Sequence, residues 1–139
     1  MKVKDAMHKG TEWVEPKTPV SAVAKKMREL DIGAIPVGKD DRLIGMVTDR
    51  DITCRAVAEG SDLSNITAGD VMTKGIKYCM ATEELEDAVR IMEAEQIRRM
   101  PVINDDKRMV GMLSLGDISH AAPQQLGGEV LKAVSDHHA

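Results

Sequence analysis

Val20, Val23, Ala24, Met27 and Leu30 recur at helical spacing, with Thr18 placed as an N-cap and Pro19 as the first helical residue. The pattern predicts a helix ending near Gly33. Residues 34–38 then read as a strand, 39–41 as a polar turn, 42–48 as the antiparallel return strand, and 50–59 as a closing helix. The pattern then runs a second time, with Thr82 as cap, Leu85, Ala88, Val89 and Met92 as the stripe, a strand from Met100 to Ile103, and a turn at 104–107. Each pass also opens with a short helical turn and a first strand, which carries Trp13 in one copy and Tyr78 in the other. The β-helix-β step predicts a right-handed crossover onto a parallel neighbour, followed by an antiparallel return. Each half is thus expected to form a small mixed sheet covered by helices. From Pro123 the pattern stops; residues 124–128 read as a linker, and 129–135 as a short helix with Val130, Leu131 and Val134 on one face, able to pack on the domain or on a partner chain.

The two passes are copies of one unit. Asp5-Ala6-Met7 returns as Asp70-Val71-Met72, Ile35-Pro36-Val37 as Met100-Pro101-Val102, and Gly45-Met46-Val47-Thr48 as Gly111-Met112-Leu113-Ser114. The offset is 65 from Asp5 to Asp70 and 66 from Gly45 to Gly111, so one residue was gained in the second turn. The expected boundaries are 1–62 for the first unit, 63–122 for the second and 123–139 for a C-terminal tail, with a polar connector at 60–67. Repeats that cannot bury their apolar faces alone pack against each other, and the seam is a natural place for a cleft.

Composition narrows the function classes. The 139 residues are 42% hydrophobic with no Phe and ten Met, enough for an adaptable aliphatic core. A net charge of -4 argues against a nucleic-acid binder, which needs a basic stripe. No apolar run approaches the roughly 20 residues of a membrane span, and the charged N-terminus carries no signal-peptide pattern, which predicts a cytoplasmic protein without membrane insertion. Cys54 and Cys79 stand apart from each other and from His clusters, so they read as inert, partly buried thiols in a reducing compartment.

The motif with the most chemistry is Thr48-Asp49-Arg50-Asp51-Ile52, repeated as Ser114-Leu115-Gly116-Asp117-Ile118. Either copy alone reads as a helix cap, in which hydroxyl and carboxylate satisfy free backbone amides. In the functional reading, amides and hydroxyl meet a phosphate while the carboxylate accepts hydrogen bonds from ribose hydroxyls. Arg98 and Arg99 precede the Met100 strand where the first unit has Gly33 and Ala34, and a guanidinium forks onto phosphate oxygens. Strand alternation puts Arg99 on the face opposite Met100 and Val102, which favours it over Arg98; a solvated charge pair is the plain alternative. Trp13 and Tyr78 share one repeat position, suited to filling a structural slot or to stacking on a base. Asp117, Ser119 and His120 are neighbours without the order of a triad, and His8, at the position of Thr73, has no partner at ligand spacing. Asp136-His137-His138 is a weak metal motif, and no metal site is expected.

These residues resemble a tandem pair of CBS domains, the Bateman module, of the stand-alone bacterial kind. The likeness covers about residues 3 to 120 and rests on the two Ile/Met-Pro-Val strands, the two Gly-x-x-Thr/Ser-x-x-Asp-Ile junctions and the two Asp-x-Met openings. It implies an α/β (α+β) fold of two pseudo-symmetric β-α-β-β-α units packed sheet to sheet, with two clefts between them. It also implies a non-catalytic regulatory module that binds AMP, ADP, ATP, NAD or S-adenosylmethionine and requires no cofactor. By motif, Asp51 and Asp117 would hold ribose, Thr48 and Ser114 would meet phosphate or ribose, and Arg98 or Arg99 would neutralise phosphate. The backbone of Gly33, Ala34, Ile35, Gly75, Ile76 and Lys77 would line base and sugar. Such modules commonly form homodimers and regulate an enzyme, channel or transporter. Gly33-Ala34 opposite Arg98-Arg99 implies unequal phosphate preference in the two clefts, one of which is then open to being empty. The alternative is a structural dimerisation module without a small-molecule ligand.

Overall fold

In a computed structural model of the chain, the described residues are 1–136 except Thr11, Asp41 and Ser61; the Asp40-Asp41 turn, the 60–67 connector and the His137-His138 motif therefore lie wholly or partly outside them. Elements run α1 Val3–Ala6, β1 His8–Lys9, α2 Val20–Leu30, β2 Ala34–Lys39, β3 Arg42–Thr48, α3 Asp49–Asp51 continuing as a π-helix Ile52–Val57, and a 3-10 turn Leu63–Asn65. They continue as α4 Ala68–Val71, β4 Cys79–Met80, α5 Leu85–Glu95, β5 Arg99–Ile103, β6 Met109–Ser114, α6 Leu115–Ala121 and α7 Gln124–Ser135. This is the mixed α/β fold that the pattern implies.

Packing divides the chain differently from the sequence repeat. One compact unit is Glu12–Ile76; the other is Met1–Thr11 together with Lys77–Ala139. The cause is strand pairing at the sheet edges. β1, from the opening of the first repeat, pairs antiparallel with β6 of the second, and the bridge between Thr73 and Met46 repeats that pairing in the other direction. Each repeat thus lends its opening segment to the sheet that the other repeat builds.

In the Glu12–Ile76 unit, β2 and β3 form an antiparallel hairpin, and Val14 bridges Val37 in parallel. Val20, Val23 and Met27 of α2 are buried against Ile35, Val37, Val47, Ala56 and Val71, while Ala24 and Leu30 of the expected stripe are exposed. In the other unit the sheet order is β1-β6-β5-β4, with β4 parallel to β5 and the remaining pairs antiparallel. There the whole expected stripe of α5, Leu85, Ala88, Val89 and Met92, is buried. Both hairpins carry a register shift at the same repeat position, between Val37 and Gly38 and between Val102 and Ile103.

Several local expectations are corrected. The N-caps are Pro19 and Glu84, not Thr18 and Thr82, and neither uses a side-chain bond. The first helical amides are satisfied from far away instead: Val20 N donates to Ile66 O at 2.8 Å and Leu85 N to Met1 O at 2.9 Å. The 50–59 helix is a short α-turn that widens into the π-helix, where Ala58 N reaches Thr53 O at 2.9 Å. Trp13 lies outside the strands and is half-buried; Tyr78 precedes β4 and is exposed, so the two do not fill one buried slot. Residues 124–128 are helical rather than a linker, because α7 starts at Gln124 and buries Val130 and Val134 in the core of its own unit, leaving Leu131 exposed.

Candidate functional site

The strand-to-helix junctions are capping boxes in both units. Where β3 gives way to α3, Asp51 N donates to Thr48 Oγ1 at 3.1 Å and Thr48 N donates to Asp51 Oδ2 at 2.9 Å. Where β6 gives way to α6, Asp117 N donates to Ser114 Oγ at 3.1 Å and Ser114 N donates to Asp117 Oδ2 at 2.9 Å. The capping chemistry is therefore realised twice, and it uses one lone pair of each hydroxyl and one oxygen of each carboxylate. The hydroxyl hydrogens of Thr48 and Ser114 have no acceptor among the described residues, and the outer oxygen, Oδ1, of each aspartate faces away from the cap.

At that outer oxygen the two copies differ. Asp51 Oδ1 lies 3.9 Å from Arg55 Nε, beyond hydrogen-bond range, because Arg55 Nη1 is bound to the carbonyls of Val71 and Met72 at 3.1 Å each. Asp117 Oδ1 instead lies 2.6 Å from His8 Nδ1. The Asp117 side chain is 7% exposed and that of His8 is 81% exposed. Asp117 is also the one buried charged residue among those described. The sequence left His8 without a partner; the pairing of His8 with Met112 brings it beside β6, two positions before Ser114, and so to Asp117. The only signal available beforehand was that His8 replaces Thr73 at one repeat position.

Arg99 opens β5 directly opposite Ser114, and cross-strand partners project on the same face. Ala34 stands opposite Thr48 in the other hairpin. Arg98 lies just before β5 and its carbonyl accepts from Leu115 N at 2.8 Å, as the Gly33 carbonyl accepts from Asp49 N at 2.9 Å. Neither arginine has a side-chain partner among the described residues. Ala34 and Ile35 are buried in β2, so they can line a ligand only through backbone; Gly33 is half-buried beside them. Gly75 is exposed with a φ of +67°, and Lys77 is 3.9 Å from Glu95. The division between units falls after Ile76, so Gly75 and Ile76 belong to one unit and Lys77 to the other.

The remaining candidates separate. Ser119 Oγ donates to Gly116 O at 2.7 Å and His120 Nδ1 lies 2.8 Å from the same carbonyl, so Asp117 faces His8 rather than His120. Cys54 is exposed, contrary to the expectation of a partly buried thiol; Cys79 is buried, and burial followed by the nearby Glu83 charge pushes its thiol up to about 12. Among the described residues no three His, Cys, Asp or Glu side chains form a metal cluster, and no helix is long and apolar enough to cross a membrane.

Two repeated β-α-β-β-α sequences with matched hydroxyl–carboxylate junctions define a CBS pair. The family model for the CBS domain matches residues 3–56 and 68–123, and the chain belongs to that family. It is 39% identical over 132 residues to Hypoxic response protein 1 of Mycobacterium tuberculosis, covering 94% of this chain and 92% of the relative. The crystal structure of Hypoxic Response Protein I, described with two coordinated zinc ions, matches with a TM-score of 0.80 at 40% identity over 88% of this chain and all of that one. CBSX2 in complex with AMP matches at 0.75 and 27% identity, over 89% and 97% of the two chains. The CBS pair of MJ0100, in complex with 5-methylthioadenosine and S-adenosyl-L-methionine, matches at 0.77 and 25%, over 86% and 98%.

Proposed function

We propose that this chain is a regulatory module that binds an adenosine-containing nucleotide at its strand–helix junctions and passes on ligand state through conformational or oligomeric change. The observation that carries the reading is the duplicated junction. In both copies the cap consumes only part of the polar capacity: the hydroxyl hydrogen and the outer carboxylate oxygen take no part in it, and at Asp117 that oxygen meets His8. Asp51 and Asp117 suit the donor pair of a ribose diol, and Thr48 and Ser114 suit ribose or phosphate oxygens as hydroxyl donors. Arg99, across the strand from Ser114, and Arg98 beside it supply charge for phosphate. The backbone of Gly33, Ala34, Ile35, Gly75, Ile76 and Lys77 lines base and sugar. Relatives in complex with AMP and with S-adenosyl-L-methionine support an adenosine ligand. ADP, ATP and NAD belong to the same chemical class. The module acts as a cytoplasmic homodimer on a separate enzyme or transporter, and a ligand shifts its equilibrium by its differential affinity for the two states.

Thermal shift with AMP, ATP, NAD and S-adenosylmethionine tests this reading, with stabilisation expected to grow with ligand concentration. An unchanged melting temperature together with no calorimetric heat at millimolar ligand would sink it. One observation favours a purely structural dimerisation module: each cap is completed by the chain's own hydroxyl, carboxylate and backbone amides. On that reading Asp51→Asn and Asp117→Asn leave the melting temperature nearly unchanged, and no nucleotide alters it.

A further inference from the structure

We propose that His8 makes the two sugar sites unequal: it holds the outer oxygen of Asp117, so an adenosine ribose enters there only by displacing the imidazole, while Asp51 stands open. This rests on the reading that the two aspartates are ribose acceptors. A vicinal diol needs outward-facing carboxylate lone pairs that no protein donor already uses. At Asp117, Oδ2 is committed to Ser114 N at 2.9 Å, and the His8 ring nitrogen at 2.6 Å stands inside the hydrogen-bonding shell of Oδ1. At Asp51, Oδ2 is committed in the same way to Thr48 N, but Oδ1 has nothing within hydrogen-bond range. Arg55, the nearest cation, is anchored by the Val71 and Met72 carbonyls. Thr73, which bridges Met46 as His8 pairs with Met112, makes no hydrogen bond to Asp51 among the described residues.

His8 is also built to leave. Its side chain is exposed and outside the core, so rotating it away gives up the 2.6 Å contact with Asp117 and little packing. That contact sets a ring nitrogen against a carboxylate oxygen, and giving it up lowers affinity by roughly ten- to a hundredfold. The result is a chain in which the Asp51 site fills first. Its sugar preference runs opposite to the phosphate preference, since Arg99 stands across the strand from Ser114.

Calorimetry of the full chain with adenosine tests this, because adenosine has the diol but no phosphate for the arginines to bind. The wild type is expected to show one stronger site, lost in Asp51→Asn. Adding His8→Thr to Asp51→Asn is expected to tighten the remaining binding by roughly ten- to a hundredfold. A second readout is the His8 ring resonance, which saturating adenosine should shift in the wild type; a residue that only supports β1 would not respond. If Asp51→Asn with and without His8→Thr bind adenosine equally, or if His8→Thr binds more weakly, His8 does not gate the site and the ribose reading survives. Two equal sites in the wild type overturn the gate alone. If none of these variants binds adenosine, the ribose reading and the gate fall together.

Discussion

At the end of β3 the Asp51 carboxylate closes its cap and keeps its outer oxygen 3.9 Å from an anchored arginine; at the end of β6 the Asp117 carboxylate closes the same cap and gives that oxygen to His8 at 2.6 Å. The caps depend on residues three apart, so duplication copied them intact. The surroundings depend on what a distant segment brings to the sheet edge, where His8 stands in one copy and Thr73 in the other, and only His8 reaches the aspartate. Local geometry is inherited with the repeat, whereas the contacts at each outer carboxylate oxygen are set by the segments lent across it.

The strongest way to break the comparison is to disturb that lending. A Cβ on Gly111 would lie 2.3 Å from the His8 carbonyl oxygen and 2.9 Å from Met7 Sδ. One on Gly45 would lie 2.7 Å from Met72 Sδ, which can move, and 2.8 Å from the Thr73 carbonyl, which cannot move easily. Gly111→Ala should destabilise by about 3 kcal/mol and Gly45→Ala by about 1 to 2 kcal/mol, measured by urea unfolding. Equal losses would mean that the two edge pairings are equally tight.

Next in size are the charges at the site. Arg99→Ala should weaken AMP binding by about 1 to 3 kcal/mol in calorimetry and leave adenosine binding unchanged, with a smaller effect for Arg98→Ala. A matching loss for adenosine would remove Arg99 from the phosphate role. Asp117→Ala should weaken AMP binding by a similar amount and also cost about 1 kcal/mol of stability through the lost cap. The smallest effect separates the two cysteines. Cys54 is exposed and should react with a thiol reagent in the folded protein, whereas Cys79, buried and pushed up to about 12, should react only on unfolding. Mass spectrometry of the singly and doubly labelled chain reads this directly.

Much of the fold is legible in the pattern because it is periodic over short range. The α5 stripe, both hairpins and both opening turns follow from residue spacing alone. The helix starts did not follow from that pattern. Thr18 and Thr82 have the right chemistry for caps, but the first amides of α2 and α5 find their acceptors at Ile66 and Met1, from the opening segment of the other repeat. A backbone acceptor supplied by tertiary pairing removes the need for a side-chain one. The π-helix is not legible locally either, and Arg55 gives no local sign that it binds the carbonyls at the end of α4.

The site divides along the same line. Thr48 with Asp51 and Ser114 with Asp117 are neighbours three residues apart, so their sequence spacing already specifies the cap, the hydroxyl and the carboxylate. The contact of His8 with Asp117 spans most of the chain and arises from a two-residue strand, too short to announce its partner. Interactions within one turn are dictated by the order of residues. Those that decide which carboxylate is free come from pairing between segments, which exists only once the chain has folded.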